Sequence, residues 1–200
     1  MLNKKLWGLG IAKKRQKEYP YTFYVPSKKI IDKLKKGNFV KLLFEIKDKT
    51  APNTEKMWVK INKRKGNTFI GNLDNDPVEI KDLKHNDEIK FEAKHIISTD
   101  IDDEDNIVER YIKRCLVSKK VFDKKKVGYI RRVKPNNKDD SGWELYVGDE
   151  TDQYLNDSKN VMVVSLGAIL NIDDSFIDLL DSPTGSEFEK VGKKFRKIEA

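Results

Sequence analysis

One stretch decides how the second half of this chain folds: Asp139-Asp140-Ser141-Gly142-Trp143-Glu144-Leu145-Tyr146-Val147-Gly148-Asp149-Glu150. A turn of Asp, Ser and Gly leads into an alternating strand, which stops at a second turn of Gly and Asp. The alternation predicts a strand with Trp143 on one face and Tyr146 on the other. We expect Trp143 to fill the core and Tyr146 to be exposed among carboxylates.

A second informative stretch follows further along the chain: Leu180-Asp181-Ser182-Pro183-Thr184-Gly185-Ser186-Glu187-Phe188. From the two stretches we predict a set of structural motif residues: Asp140, Ser141, Gly142, Trp143, Gly148, Asp181, Pro183, Gly185 and Phe188. Tyrosine is enriched at binding hot spots, and carboxylates speed the encounter with a basic partner. We therefore predict a second set of residues that binds a partner protein: Tyr146, Asp149, Glu150, Asp152 and Tyr154.

The composition favours two modest cores over one large core. Hydrophobic residues make up 38% of the 200 positions and charged residues 37%, yet three Trp, seven Tyr and nine Phe are available as core anchors. The single cysteine, Cys115, excludes an internal disulfide and a zinc site built from cysteines. No stretch is long and apolar enough to cross a bilayer, so we expect a cytoplasmic protein without a transmembrane segment.

The positive charge is concentrated in the first quarter of the chain. Residues 1–49 contain fourteen Lys and Arg against four Asp and Glu, whereas residues 101–200 contain eighteen against twenty. A basic end of this kind binds nucleic acid weakly and non-specifically through counterion release. A nucleic-acid-associated or ribosome-associated binding module is therefore an alternative hypothesis. Few aromatic residues are interleaved with these lysines, which argues against a surface that recognises bases.

An acidic segment divides the sequence into two halves. Residues 98–106 contain five acidic residues and cannot bury an apolar face, so we expect them to form a linker. The predicted organisation is a basic N-terminal segment at 1–19, a small β-rich domain at 20–97, this linker, and a second domain at 107–200. The predicted fold class is α+β.

The N-terminal half has the pattern of several short strands. Strands are predicted at Tyr21–Val25, Phe39–Ile46, Met57–Ile61, Thr68–Leu73 and Glu88–Ala93. Ser27 is expected to cap one short helix that carries Ile30, Ile31 and Leu34 on one face. Strands at this spacing predict a small, strongly bent β-sheet or barrel with one short helix.

The C-terminal half mixes helices with strands. Strands are predicted at Val127–Val133, Trp143–Val147 and Val161–Leu166, of which the last is a continuous apolar run typical of a central strand. The segment Ala168–Leu180 predicts a helix that is broken near Asp173. Apolar residues over Val108–Leu116 have helical spacing, although Leu116 could equally open a strand. We expect an α+β domain with a mixed or antiparallel sheet.

The sequence offers little chemistry for catalysis or for cofactor and metal binding. Its two histidines, His85 and His95, lie in turn or strand-end contexts and have no nucleophile motif to serve. Gly192-Lys193 fails as a phosphate loop, because Lys194 stands where Ser or Thr is required. The carboxylates around Asp149 lack the spacing of a calcium loop. We predict a non-catalytic protein without cofactor or metal; an enzyme would need a convergent pocket of perturbed carboxylates.

The motifs of the second half resemble the bacterial immunity protein 33 family, which is associated with polymorphic toxin systems. The resemblance covers roughly residues 112–190, and besides the two stretches quoted above it rests on Ser118-Lys119-Lys120-Val121, Gly128-Tyr129 and Tyr154-Leu155. It implies a cytoplasmic protein that neutralises a toxin by binding it. A basic, nucleic-acid-degrading toxin domain would suit the predicted acidic patch.

The N-terminal half resembles a second bacterial family, domain of unknown function 2314. The resemblance lies within about residues 20–95 and rests on Met57-Trp58-Val59, the segment 71–77 and the turn between Leu83 and Ile89. This family commonly carries Gly-Asp in the turn before its final strand, where the chain has Asn86-Asp87. Asn tolerates a positive φ, so we expect the turn to be kept. The resemblance implies no catalytic residue.

Overall fold

The computed structural model describes residues 5–47 and 54–199 and has an α+β fold in which strands predominate. The strands are β1 (Trp7–Leu9), β2 (Phe39–Ile46), β3 (Thr54–Lys65), β4 (Thr68–Leu73), β5 (Glu88–Glu92), β6 (Ile96–Thr99), β7 (Arg114–Ser118), β8 (Tyr129–Arg132), β9 (Asp140–Tyr146), β10 (Val161–Ser165), β11 (Glu187–Val191) and β12 (Lys194–Lys197). The α-helices are α1 (Ala12–Glu18), α2 (Lys28–Lys33), α3 (Ile107–Arg110), α4 (Lys119–Lys124), α5 (Asp152–Leu155) and α6 (Leu166–Leu170). The predicted fold class is confirmed.

The chain divides into two compact units, an N-terminal unit that ends at Asn106 and a C-terminal unit that begins at Ile107. The N-terminal unit is a nearly closed antiparallel sheet in the order β1-β2-β3-β4-β5, with β6 paired to β2 beside β1. Alternate residues of β2 point inward, and Val40, Leu42 and Phe44 are fully buried. Register shifts in the β2–β6 and β3–β4 pairs bend the strands around this core, because a bulge increases local twist.

Two local predictions for the N-terminal unit have opposite outcomes. The predicted cap of α2 is confirmed, because the Ser27 hydroxyl accepts a hydrogen bond from the backbone N–H of Ile30 at 3.4 Å. The strand predicted at Tyr21–Val25 is wrong, since this segment pairs with none of the strands that the structure describes. Phe23 and Val25 instead pack their side chains against a small buried cluster formed by Ala12, Leu43 and Ile97.

The acidic segment between the two halves makes specific contacts within the N-terminal unit. Its first two residues belong to β6, and the Asp100 carboxylate accepts a hydrogen bond from the backbone N–H of Phe39 at 3.0 Å. The Asp103 carboxylate accepts hydrogen bonds from the Tyr24 hydroxyl at 2.6 Å and the Ser27 N–H at 2.9 Å. Burial alone would raise the pKa of the Asp103 carboxyl, but these hydrogen bonds lower it below its ordinary value. The proposed division into four parts stays a prediction.

The C-terminal unit contains a sheet in the order β10-β7-β9-β8-β11-β12. Of the two kinds of sheet that the sequence allowed, mixed or antiparallel, the structure has the mixed one. The β7–β9 pair is parallel and every other pair of this sheet is antiparallel. One face of the sheet carries buried apolar residues of the central strands: Val117, Ile130, Trp143 and Leu145. Buried residues from α6 and the segment after it complete the core: Leu166, Ile169, Leu170, Phe176 and Leu180.

One prediction for this unit is wrong and another is only partly met. The apolar run that begins at Val161 forms β10 at the edge of the sheet and not in its centre, and Val163 is 58% exposed. The helix predicted over Ala168–Leu180 is interrupted around Asp173, as expected, but its two parts are short: α6 ends at Leu170, and a separate 3₁₀ turn follows at Ile177–Leu179. The hairpin of β11 and β12 was not predicted, and Gly192, with φ +64°, forms its turn.

Candidate functional site

A cavity of about 790 Å³ lies on the sheet of the C-terminal unit. Strands β8, β9 and β11, which are neighbours in the sheet, supply its floor, and the loops that adjoin them supply its walls. Several motif residues that carry the immunity-family resemblance line it: Gly128, Tyr129, Gly148, Glu150 and Leu155. Residues that are far apart in the sequence therefore converge on one concave site, the usual form of a ligand-binding or partner-binding surface.

Two glycines allow the backbone to form the cavity wall. A Cβ atom at Gly128 would lie 2.0 Å from the carbonyl oxygen of Val147, so no other residue fits there without moving the chain. The N–H of Gly128 donates to the carbonyl of Tyr146 at 2.8 Å, which fixes this close approach. Gly148 has a φ of +94°, a conformation that favours glycine. Backbone geometry therefore explains why glycine occupies positions 128 and 148.

A pair of tyrosines forms the floor of the cavity. Tyr129 and Tyr146 are opposite each other on β8 and β9, with ring centroids 5.9 Å apart. The Tyr129 hydroxyl donates to Glu187 at 2.8 Å, and the Tyr146 hydroxyl donates to Glu144 at 2.8 Å. Burial and the hydrogen bond to Glu187 raise the pKa of Tyr129 to about 12, and burial also raises the pKa of Tyr146. Both hydroxyls therefore remain protonated donors at neutral pH.

The predicted exposure of Tyr146 is wrong. Its side chain lies between Tyr129 and the loops around the cavity, and only 6% of the residue is exposed. Its hydroxyl is held by Glu144, which also accepts a hydrogen bond from Nε of Arg131 at 2.6 Å. The burial of Trp143, at 1% exposure, is confirmed. Strand β9 therefore buries a large side chain on each of its two faces.

Two of the predicted partner-binding carboxylates are engaged within the chain. Asp149 forms ion pairs with Lys120, at 3.1 Å, and with Lys124. These ammonium groups, that of Lys124 first, hold the pKa of Asp149 below its ordinary value. Glu150 accepts hydrogen bonds from the backbone N–H groups of Val147 and Gly148 at 3.0 and 2.8 Å. Much of the negative charge predicted for this patch is therefore compensated locally.

The other two predicted partner-binding residues, Asp152 and Tyr154, lie on α5. The Thr151 hydroxyl caps this helix by accepting a hydrogen bond from the Tyr154 N–H at 3.2 Å. Asp152 is exposed, and the ammonium of Lys120 lies 4.7 Å from the centre of the Tyr154 ring. The cavity-lining Leu155 belongs to the same helix. Of the five predicted residues, Tyr146 and Glu150 line the cavity, and Asp149, Asp152 and Tyr154 do not. Their role in binding stays a prediction.

The first structural motif is a hydrogen-bonded turn that starts β9. The Asp140 carboxylate accepts hydrogen bonds from the N–H groups of Asn136 and Gly142 at 2.9 and 2.8 Å. These two bonds lower the pKa of Asp140. The Ser141 hydroxyl donates to the carbonyl of Arg114 at 2.7 Å, which connects the turn to β7. Gly142, with φ +74°, leaves no room for a Cβ because the Val133 carbonyl would lie 2.2 Å away.

The second structural motif lies against the first. The Trp143 indole donates to the carbonyl of Leu180 at 3.3 Å, and Asp181 pairs with Arg110 at 2.7 Å. Further along, Pro183 and Gly185 form an exposed turn in which Gly185 has φ +89°. Phe188 returns the chain to the buried face of the sheet at 7% exposure. Both motifs thus have roles in the architecture of the unit.

The sequence did not reveal one polar cluster beside the cavity. The Asp173 carboxylate accepts hydrogen bonds from the Val127 N–H at 2.9 Å and from the Lys190 ammonium at 3.2 Å, and Lys190 also contacts the Ser175 hydroxyl at 2.7 Å. This cluster depends on β11 lying beside β8, and neither local pattern nor spacing indicates that pairing. Gly192-Lys193, which the sequence excluded as a phosphate loop, forms the adjacent hairpin turn.

Other groups with potential chemistry are occupied or inert. Burial raises the pKa of the Cys115 thiol to about 12, so the reactive thiolate is disfavoured. Burial lowers the pKa of His95, whose Nδ1 accepts a hydrogen bond from the Glu92 N–H at 3.0 Å. In the described residues, no group of three or more His, Cys, Asp or Glu is placed to hold a metal ion. Nor does any helix within them have the length and apolar character needed to span a membrane.

Comparison with known proteins gives two family matches. Residues 115–199 match the family described as the Immunity protein Imm33 domain, and residues 6–128 match the family described as Uncharacterized protein conserved in bacteria (DUF2314). Both resemblances are confirmed, and both matches extend beyond the expected residues. No curated protein and no solved structure matches the chain. Because the second match covers more than half of its residues, the chain belongs to the DUF2314 family of uncharacterized proteins conserved in bacteria, with an Imm33 match over its C-terminal part.

Proposed function

We propose that this chain is a non-catalytic, cytoplasmic immunity protein that neutralises a toxin by binding it directly. The observation that carries the proposal is the Imm33 match, which spans residues 115–199 and therefore most of the C-terminal unit. An immunity protein of this kind blocks its toxin by occupying a surface, and it needs a complementary interface but no reacting group.

The cavity on β8, β9 and β11 is the proposed contact site for the toxin. It is concave, its floor holds two tyrosine rings, and exposed charged residues stand at its edge: Lys126, Glu189 and Lys193. Binding hot spots are commonly pockets with aromatic floors and polar rims. Helix α5 extends this surface through Leu155, so the predicted residues Asp152 and Tyr154 would lie at its border.

The charge around the cavity bears on the kind of toxin that fits. The sequence suggested a basic toxin attracted by carboxylates, but Asp149 and Glu150 already have partners within the chain. Exposed acidic and basic residues alternate at the rim, so shape and hydrogen bonding would contribute more to affinity than net charge. A basic toxin domain remains the proposed partner, with Asp152 and Glu189 as its exposed carboxylate contacts.

The test begins with capture of a partner by the full-length protein. The captured protein is then produced alone in growing cells, and the full-length chain is co-produced to measure rescue of growth. Asp152→Lys with Glu189→Lys should abolish rescue, because it replaces the two exposed carboxylates proposed to contact a basic toxin with like charges. Asp123→Lys with Asp178→Lys is the matched control, since both of these carboxylates are exposed and neither lines the cavity.

Two results would contradict the proposal. The captured protein could fail to inhibit growth, in which case the chain has no toxin to neutralise. Rescue could also be equal for the rim variant and the control, which would place the interface elsewhere on the protein. In that case Asp149→Ala with Asp152→Ala tests whether the border near α5 alone carries binding. Circular dichroism of each variant shows that its fold is kept.

A further inference from the structure

The outward side of β2 and β3 in the N-terminal unit carries two aromatic rings, each opposite a lysine. In the β2–β3 register, Phe39 is opposite Lys60 and Lys41 is opposite Trp58. We call these four residues the aromatic–lysine face. Their sequence neighbours on both strands point inward and are buried, so the four side chains lie on the solvent side of the sheet. The core of the unit therefore does not require these aromatic rings.

Each lysine lies over the ring of its partner. The ammonium of Lys41 is 4.5 Å from the centre of the Trp58 ring, and the ammonium of Lys60 is 5.4 Å from the centre of the Phe39 ring. Both rings are partly exposed and belong to neither buried cluster of the unit. Trp58 and Phe39 occupy diagonal positions, whose Cα atoms are roughly 7–8 Å apart.

Lysines dominate the charge of this surface, although the Asp100 carboxylate lies beside Phe39 and accepts a hydrogen bond from its N–H at 3.0 Å. Lys56, two residues before Trp58 on β3, adds a third ammonium to the same side. Among residues 5–47 and 54–199, none of Lys41, Lys56 and Lys60 forms an ion pair with a carboxylate. The ammonium groups contact rings through a cation–π attraction that is weak at exposed sites. They are therefore available to an anionic ligand at little cost.

We propose that the aromatic–lysine face binds single-stranded nucleic acid. A flat base would stack on Trp58 and a second base on Phe39, while the displaced ammonium groups of Lys41 and Lys60 would turn to the phosphates. Proteins that bind single strands without sequence preference use this combination of stacking rings and a basic track. In a duplex the bases are already stacked on one another, so the rings select a single strand over a duplex.

The inference concerns a different unit from the proposed toxin site and does not depend on it. The sequence hypothesis of a nucleic-acid-associated module relied on the diffuse charge of residues 1–49 and found few aromatic residues among the lysines. Pairing of β2 with β3 supplies the aromatic residues that the sequence pattern did not show, because it places Trp58 opposite Lys41 and Phe39 opposite Lys60. The specific prediction is therefore a site on β2 and β3 and not a basic terminus.

The experiment measures fluorescence anisotropy of a labelled oligo-dT of about 12 nucleotides, a length within the usual site size. The full-length protein is titrated at low salt and at several higher salt concentrations. Trp58→Ala and Phe39→Ala should each weaken binding about tenfold, as expected for the loss of one stacked base. Lys41→Ala with Lys60→Ala should weaken binding and reduce the slope of log K against log salt by roughly 1.4.

A charge-matched control separates this face from general electrostatics. Lys13→Ala with Lys14→Ala removes the same charge from exposed positions on α1 and should leave affinity almost unchanged. Tryptophan fluorescence gives a second readout, because Trp7 and Trp143 are buried and Trp58 is not. Oligo-dT should quench this emission in the native protein. In Trp58→Phe the quenching should disappear while most of the affinity stays, since Phe keeps a stacking surface.

Three outcomes would overturn the proposal. The first is the absence of binding to oligo-dT at low salt. The second is equal weakening by the Lys13 and Lys14 changes and by the Lys41 and Lys60 changes, which would indicate diffuse attraction to phosphate. The third is equal affinity for a duplex of the same length, which would leave the rings without a role. None of these outcomes affects the growth-rescue test of the C-terminal unit.

Discussion

The indole N–H of Trp143 donates a hydrogen bond to the carbonyl oxygen of Leu180 at 3.3 Å. This bond joins the two most informative stretches of the sequence, which are separated by the whole of β10 and α6. Arg132 adds to the junction, because its guanidinium lies 5.6 Å from the centre of the Trp143 ring and donates to the carbonyl of Ser182. The second stretch is thus fixed against the sheet by a tryptophan and an arginine.

This junction gives the first prediction. Trp143→Phe removes the indole donor and part of the ring from a fully buried position, and we expect it to lower the free energy of unfolding by about 1–3 kcal/mol. Trp143→Ala should cost more, about 3–5 kcal/mol, because it leaves a cavity. Urea unfolding followed by circular dichroism measures both. If Trp143→Phe unfolds at the same urea concentration as the native protein, the hydrogen bond to Leu180 contributes nothing measurable.

The second prediction concerns the close approach at Gly128. A Cβ at this position would overlap the Val147 carbonyl, so Gly128→Ala should destabilise the C-terminal unit by about 1–3 kcal/mol or more. Gly192→Asn is the control, because the hairpin turn has open space around Gly192 and Asn tolerates its positive φ. Thermal unfolding of the full chain compares the two. Equal melting temperatures for the two variants would contradict the argument.

The third prediction concerns Tyr146 and the choice of variants for binding studies. Tyr146→Phe loses the hydroxyl bond to Glu144, which keeps its bond from Arg131, so we expect a cost of about 1 kcal/mol. Tyr146→Ala removes a buried ring and should cost about 3–5 kcal/mol. Urea unfolding distinguishes the two values. A negligible effect of Tyr146→Ala on stability would show that the residue is exposed in solution, as the sequence first suggested.

The fourth prediction concerns acid stability. Burial alone would raise the pKa of Asp173, but hydrogen bonds from Ser175, the Val127 N–H and Lys190 lower it below the ordinary value of 3.8. A depressed pKa stabilises the folded state above the ordinary pKa, and this contribution is lost as the pH falls through the folded value. Asp173→Asn should therefore lower the melting temperature most above about pH 5 and progressively less below about pH 4.

The control for this prediction is Asp178→Asn, which changes an exposed carboxylate in the same segment. We expect it to leave the melting temperature unchanged across the same pH range, because exposed charges contribute little to stability. A gap between the native protein and Asp173→Asn that stays constant down to about pH 2.5 would contradict the assigned role of Asp173.

Much of the local structure could be predicted from the sequence, because it depends on residues close together in the chain. Alternation gave the bounds of β2 and β4 as they are observed, and the Ser27 hydroxyl caps α2. Asn86 adopts a φ of +68° in the turn where the family commonly has glycine. Trp143 is buried, as expected for a tryptophan that shares one face of an alternating strand with Leu145. Family membership also follows from such local motifs.

The tertiary structure decided which strands are neighbours, and this determined the sites. Period-two alternation tells which residues share a face, but it does not tell what covers that face. Pairing of β8 with β9 buried Tyr146 against Tyr129, and the position of β10 at the sheet edge exposed Val163. Pairing of β2 with β3 brought Trp58 under Lys41. These contacts are non-local, and local sequence pattern carries no information about them.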